Sequence, residues 1–482
     1  MTNFIKQPNL YPISNSFILT NKITMKKLYS TLLLFFLFLP AGLQVNAQSL
    51  EKDLDALFDV HYPSGQPGAI VLVAKDGNVI YRKAFGSADL ELGVPMKPEH
   101  VIELGSITKQ FTAVAILMLM EEGKLSLQDP LSKYISDYPN GENITIHHLL
   151  NHTSGIPNHL GMPELPPKAL DISPLETIAV FKNKPGDFAP GEKWKYSNAG
   201  YILLGYIIEQ ASKMTYEDFI ETKIFQPLGM RNSQYGNKRE IIPNRASGYN
   251  PDPSGKGYRN GEFLSMTVPY AGGALMSTVD DMLIWNQAVR NNNLISEKNK
   301  QLTFKTTTLN NGETSYYGYG REIRKLYGSP TLEHGGGVSS GYLTFGVYLP
   351  KENIYTILLS NNHSINPEKI ALDATAIVMG KPMITSKTQV SLPENTLKQW
   401  TGSYIFEDGA LRHITFKDGN LYSKREGTET SFPLLPISAN EYRFHNGSTT
   451  YTFGKENGKK VVVFATRLDV SNGKETDKAP VE

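Results

Sequence analysis

The sequence predicts an α+β chain: an antiparallel sheet assembled from two distant stretches, flanked by helices and interrupted by a helical subdomain, then a small all-β, barrel-like domain. Three observations lead there. β-rich runs stand at 69–85 and again at 342–360, with helical text and loops between them. Residues 381–395 are polar and carry two prolines, which marks a linker. Beyond it, short β-rich segments alternate with Asp-Gly and Asn-Gly turns, the spacing of a meander or barrel.

Taken in order, the chain opens on an upstream extension and then a targeting signal. Met25-Lys26-Lys27 is basic, 31–39 is apolar, and Val45-Asn46-Ala47 supplies the small residues a signal peptidase requires. We therefore expect translation to begin at Met25 and cleavage after Ala47, so that 1–47 is removed and the protein is exported, periplasmic or secreted. The apolar core is short for a bilayer, so no stable membrane span is expected after cleavage. The absence of cysteine means an exported protein without disulfides, and it excludes a lipidated signal, which requires a Cys at the cut.

Residues 50–58 form an amphipathic helix, and 69–74 and 79–85 flank Asp76-Gly77 as a hairpin. Helical spacing follows at 144–151, 174–181, 201–210 and 216–225. Strands return at 342–349 and 354–360, with a helix near 368–379. After a linker at 381–397, six short strands are expected, at 401–404, 414–416, 421–423, 442–444, 449–453 and 461–466. With 482 residues, 40% of them hydrophobic, the chain can bury a large core in more than one domain. Its 48 basic and 47 acidic residues leave no net field for nucleic acid. The expected partner is a small-molecule or peptide substrate.

The chemistry centres on Ser106 and Lys109. The apolar run 111–120 has no turn residue before Gly123, so Ser106 sits at or just before the first turn of a buried helix. Three residues on, Lys109 shares its face. A serine hydroxyl is a weak nucleophile without a neighbouring base, and a lysine serves as one where burial lowers its pKa. The free N–H groups at a helix start can stabilise an oxyanion. Spacing alone is cheap: Ser49/Lys52 and Ser471/Lys474 repeat it without the apolar helix.

Partners stand elsewhere. Tyr196 and Asn198 precede the apolar helix at 201–208, where a phenol can relay a proton and an amide can hold a carbonyl or Lys109. Tyr138/Asn140, Tyr235/Asn237 and Tyr258/Asn260 share that spacing but lead into no such helix. His334 is followed by Gly335, Gly336 and Gly337 just before the late strand pair; bare backbone there admits a substrate, and a glycine N–H can complete an oxyanion hole. His445 with Gly447 shows the same text as a plain turn. His148 and His152 are an i, i+4 pair without a zinc motif around them, so neither metal nor cofactor is expected.

Ser106/Lys109, Tyr196/Asn198 and His334/Gly336 stand in the order of the three marks of the penicillin-binding-protein and class C β-lactamase superfamily, which the chain resembles over about 50–380. The stretches LLNHTSGIP (149–157) and PGEKWKYSNAGYILLG (190–205) add to that likeness. The resemblance implies a β-lactamase/transpeptidase-like fold for 48–380 and an acyl-enzyme on Ser106. It implies that Lys109 and Tyr196 share the proton work, that Asn198, His334 and Gly336 bind substrate, and that the N–H groups of Ser106 and Gly337 form the oxyanion hole. Which of Lys109 and Tyr196 takes the first proton stays open. Where true β-lactamases usually carry lysine this chain has His334, mostly neutral at pH 7, which is similar to the D-aminopeptidase and esterase branch. The reading is thus a serine hydrolase of peptides or esters. The alternatives are a β-lactamase or D-Ala-D-Ala carboxypeptidase, and a non-turnover penicillin- or muropeptide-binding sensor. The segment 398–482 resembles the lipocalin-like modules appended to such peptidases.

Overall fold

The run Ala69 to Ala74 has no polar face, which suits a strand covered on both sides. In the computed structural model, which describes residues 41–237, 239–381, 390–444 and 449–481, it is β1 (Ala69–Lys75), buried at all but its last residue. Most of the expected signal segment, 1–40, lies outside the described residues, as does 382–389 of the expected linker. Helix α1 (Ala41–His61) is longer than the 50–58 read from periodicity. Its Phe58 stacks on Tyr81 and Phe85.

β1 hairpins with β2 (Asn78–Phe85) and joins four late strands, β3 (Glu322–Leu326), β4 (Ser329–Val338), β5 (Tyr342–Leu349) and β6 (Ile354–Ser360). The order is β3-β4-β5-β6-β1-β2, antiparallel throughout, with Ala69 opposite Ser360 at the junction of the two ends of the domain. This is the two-ended sheet the sequence predicts. β3 and β4 are additions. The glycines after His334, placed by the sequence just before the late strand pair, lie inside a strand of their own, β4, with Gly336 opposite Thr344 and Gly337 opposite Leu343. β3 pairs β4 only as far as Glu333, so residues 334–338 have a strand neighbour only in β5. That half of β4 presents an open backbone edge.

Helix α2 (Thr108–Glu121) is apolar all round and almost wholly buried, as a central helix must be. Trp285 stacks on its Phe111 at 3.9 Å and donates to Gln110. Helices α3 (Ile146–Leu150) and α4 (Pro174–Phe181) pack on α5 (Asn198–Ser212), which in turn packs on α2. Thr145 and His148 form a capping box on α3, and Ser173 and Glu176 form one on α4, so local chemistry sets both starts. The expected helix at 216–225 is α-helical to Ile220 and then widens into a π turn, Glu221–Phe225. Helix α6 (Val279–Arg290), absent from the sequence reading, packs on β1 and β6, and α7 (Pro367–Val378) covers β5 and β6.

The C-terminal strands close into a barrel: β7 (Gly402–Phe406), β8 (Leu411–Lys417), β9 (Asn420–Arg425), β10 (Ser431–Pro436), β11 (Glu441–Phe444), β12 (Thr450–Glu456), β13 (Lys459–Ala465) and β14 (Val470–Thr476). Ser403 pairs with Thr476 to shut it. Two strands escaped the sequence reading: β10 carries Pro433 and Pro436, and β14 is polar. Closure leaves no free edge, which admits such weak strands. The interior is filled by Tyr404, Tyr442, Tyr451, Phe453, Leu421 and Leu434, all at most 1% exposed. Leu397 and Trp400 join this core, so the end of the expected linker is a short helix, Glu394–Lys398, seated on the barrel.

Candidate active site

Ser106 lies in a tight turn, Gly105–Ile107, that feeds α2. Gly105 has φ +55°, and a Cβ there would meet the Gly337 nitrogen at 2.7 Å, so both the turn and its contact with β4 depend on glycine. Gly336 is tighter still, since its Cβ would fall 2.0 Å from the Leu104 carbonyl oxygen. The bare stretch of β4 is thereby pressed against the Ser106 turn, with the exposed Gly337 beside it.

Lys109 is fully buried. Its Nζ lies 2.9 Å from Ser106 Oγ, 2.8 Å from Asn198 Oδ1 and 2.7 Å from the Gly272 carbonyl oxygen. The amide and carbonyl oxygens only accept, so they take two N–H bonds. The remaining position faces the serine hydroxyl, which accepts from an ammonium and donates to an amine. Burial holds the lysine pKa well below its ordinary value, favouring the amine and hence the second arrangement. Asn198 is itself fixed from behind, its backbone N–H donating to Asn158 Oδ1 at 3.2 Å. The Gly272 carbonyl is held by the tie of its segment to α2: Thr112 donates to the Ala271 oxygen, and Leu275 N–H donates to Thr108.

Tyr196 sits with its ring centroid 5.0 Å from Lys109 Nζ and 6.2 Å from the His334 ring. Burial pushes its phenol pKa up, while its hydrogen bond with Ser106 opposes the rise. It is therefore a neutral phenol in contact with the serine hydroxyl. His334 is 3% exposed. Its Nδ1 lies 2.6 Å from the Gly335 carbonyl, which can only accept, so the proton is on Nδ1 and Nε2 accepts from the Tyr317 hydroxyl at 2.9 Å. Burial first, and Lys109 second, lower its pKa to about 4, leaving a neutral ring with both nitrogens engaged.

The structure thus brings Ser106, Lys109, Tyr196, Asn198 and the 334–337 strand segment to one place, from separate elements. Ser106, Asn198, Gly272 and Gly337 line a cleft of about 450 Å³ whose other walls are mostly apolar, Leu160, Leu264 and Val338 among them. His334 and Gly336 stand behind that lining. Lys168, at the rim, is paired with Glu262. His159 also lines the cleft, buried, with neither ring nitrogen bonded to protein. Gly272, Asn158 and Tyr317 are absent from the sequence reading. The Gly272-Gly273 pair was the one visible signal, since adjacent glycines mark close backbone approach. The His147 nitrogens are engaged by Tyr319 and Asn151, and His148 accepts from Thr145. Among the described residues no cluster of His, Asp and Glu could hold a metal ion.

Comparison with known proteins agrees with this geometry. The profile of the family described as Beta-lactamase matches residues 51–378. A penicillin-binding protein of Bacillus subtilis (strain 168) is 31% identical over 443 residues, covering 86% of this chain and 97% of that protein. Among solved structures, the octameric penicillin-binding protein homologue from Pyrococcus abyssi superposes with TM-score 0.61 at 30% identity, over 89% of this chain and 99% of that one. D-amino acid amidase from Ochrobactrum anthropi SV3 shares the fold, with TM-score 0.60 at 23% identity, over 69% of this chain and 99% of the other.

Proposed function

The chain belongs to the Beta-lactamase family of serine hydrolases, and from that premise we propose that it is an exported enzyme that acylates Ser106 and cleaves amide or ester bonds in small substrates with apolar neighbours. The observation that carries the proposal is the three-way setting of Lys109, with its one free position against the Ser106 hydroxyl.

The serine proton passes to the neutral Lys109 amine as Oγ bonds to the substrate carbonyl carbon. Charge gathers on the carbonyl oxygen, which the N–H groups of Ser106 and Gly337 receive. Tyr196, a neutral phenol, gives its proton to the leaving nitrogen or oxygen as the scissile bond breaks, and recovers one from Lys109. Water then attacks the ester on Ser106, giving up a proton to the same pair, which returns it to Ser106 Oγ as the acyl–oxygen bond breaks and the acid is released. The raised phenol and lowered amine support Lys109 as the first base.

Substrate class follows from charge. A carboxylate-terminated substrate calls for a cation at the far end of the cleft, and the neutral, internally bonded His334 offers none. Amides and esters without that carboxylate fit better, and the open edge of β4 can pair an extended substrate backbone. Penicillin binding is the second reading, favoured by the named activity of the Bacillus relative. Purified protein and a Ser106→Ala variant, assayed with p-nitrophenyl esters, D-amino-acid amides and a chromogenic cephalosporin, separate the two. Serine-dependent turnover of esters or amides supports the first reading, and serine-dependent reaction with the cephalosporin alone, as stable labelling or as turnover, supports the second. Turnover undiminished in Ser106→Ala rejects both.

A further inference from the structure

Resting on that reading, we propose that the C-terminal barrel is a positioning module for the active site and that Arg467 is the residue through which it acts. Arg467 lies in the loop between β13 and β14. Its guanidinium pairs with Glu333, whose side chain is 1% exposed and which immediately precedes His334 on β4. The same loop docks on the outer edge of the sheet. Lys325 N–H on β3 donates to the Arg467 carbonyl at 2.6 Å, and the Lys325 ammonium reaches Asp469 at 3.6 Å. Arg324, also on β3, is 3.6 Å from Glu333, and Thr331 donates to it at 2.8 Å.

Two features make this contact more than adhesion between domains. Glu333 is the last residue of β4 that β3 pairs, so the ladder on that side ends where the cleft-lining half of the strand begins. Whatever fixes Glu333 sets the approach of Gly337 to the Ser106 turn. Side chains alternate along a strand, so Glu333 lies on the face opposite the one on which Gly336 meets Leu104. The strand is held from both faces, by the Ser106 turn on one and by the barrel on the other. A buried carboxylate deprived of its main cation would shift to find water or a proton, and the strand would shift with it.

The test uses the full chain and three variants: Arg467→Met, Arg467→Lys, and the double variant Arg467→Met with Glu333→Gln. Steady-state constants for a p-nitrophenyl ester are measured well below the unfolding temperature of each, so that unfolded protein is not read as lost rate. Arg467→Met is expected to lower kcat by about ten- to hundredfold with KM changed by no more than about threefold, because an oxyanion donor out of place affects the transition state and not the bound substrate. The double variant removes the stranded charge and is expected to recover most of that loss. Should Arg467→Met fail to fold, Arg467→Lys, which loses the planar fork, carries the same reading through a smaller drop in kcat. Wild-type kcat in the folded Arg467 variants, or a double variant as slow as Arg467→Met, would overturn the proposal. Absence of turnover in the unsubstituted protein would instead defeat the hydrolase reading on which it rests.

Discussion

At the scale of single residues, the site is a set of groups whose charge states are set by burial. Tyr196 is kept protonated, so the contribution proposed for it is that of an acid toward the leaving group. That contribution depends on the substrate: an amine leaving group must be protonated, whereas p-nitrophenolate leaves unaided. Tyr196→Phe is therefore expected to lower amide hydrolysis by about 10²–10⁴-fold and p-nitrophenyl ester hydrolysis far less, and equal losses on both would contradict the role. His334 shows the same control in stability. Folded, it titrates at about 4 and not near 6.5, because burial and Lys109 disfavour its cation. The unfolded chain takes up that proton first as pH falls, so stability is lost through the window from about 6.5 down to about 4. His334→Asn is expected to show a smaller fall in unfolding temperature between about pH 7 and pH 5 than the parent, and an equal fall would refute the assignment.

At the scale of elements, the strand that carries His334 and its glycines is among those the sequence hid. Glycine is a poor strand former, and three in a row read as a turn. Here Gly336 is required by contact and not by conformation, because the Leu104 carbonyl and the Thr344 hydroxyl occupy the place of a side chain there. Gly336→Ala is accordingly expected to cost about 1–3 kcal/mol of stability and most of the activity. Gly335→Ala, whose Cβ would meet only ordinary contacts from 3.6 Å, is expected to be tolerated. Similar effects in both would show that the packing at Gly336 is not what holds the strand. Ser106, Lys109, Tyr196 and Asn198 were legible because each sits beside a long apolar helix, whose periodicity survives in sequence. Gly272, Asn158 and Tyr317 were not, since they act through a backbone oxygen, a second-layer amide and a hydroxyl on loops without periodicity.

For the molecule as a whole, pattern carried the architecture well where chemistry repeats and poorly where closure compensates. The two-ended sheet announced itself through two apolar strand pairs far apart in the chain. The barrel announced itself through its Asp-Gly and Asn-Gly turns, yet β10 and β14 stay invisible because a closed barrel supplies their partners. What no local pattern could reveal is the Arg467–Glu333 contact, which joins the barrel to the site strand across 134 positions of sequence. No described helix is long and apolar enough to cross a membrane. Expressed in a secreting bacterial host from Met25, the protein is expected outside the cytoplasm with Gln48 as its first residue, and N-terminal sequencing that returns Met25 from a cytoplasmic fraction would refute export. The most direct trial of the covalent mechanism is mass spectrometry of the peptide containing Ser106 after rapid acid quench with an ester substrate. An added acyl mass on Ser106 is expected, absent in Ser106→Ala together with turnover; an acyl group on another residue, or turnover that persists in Ser106→Ala, would rule out acylation of Ser106.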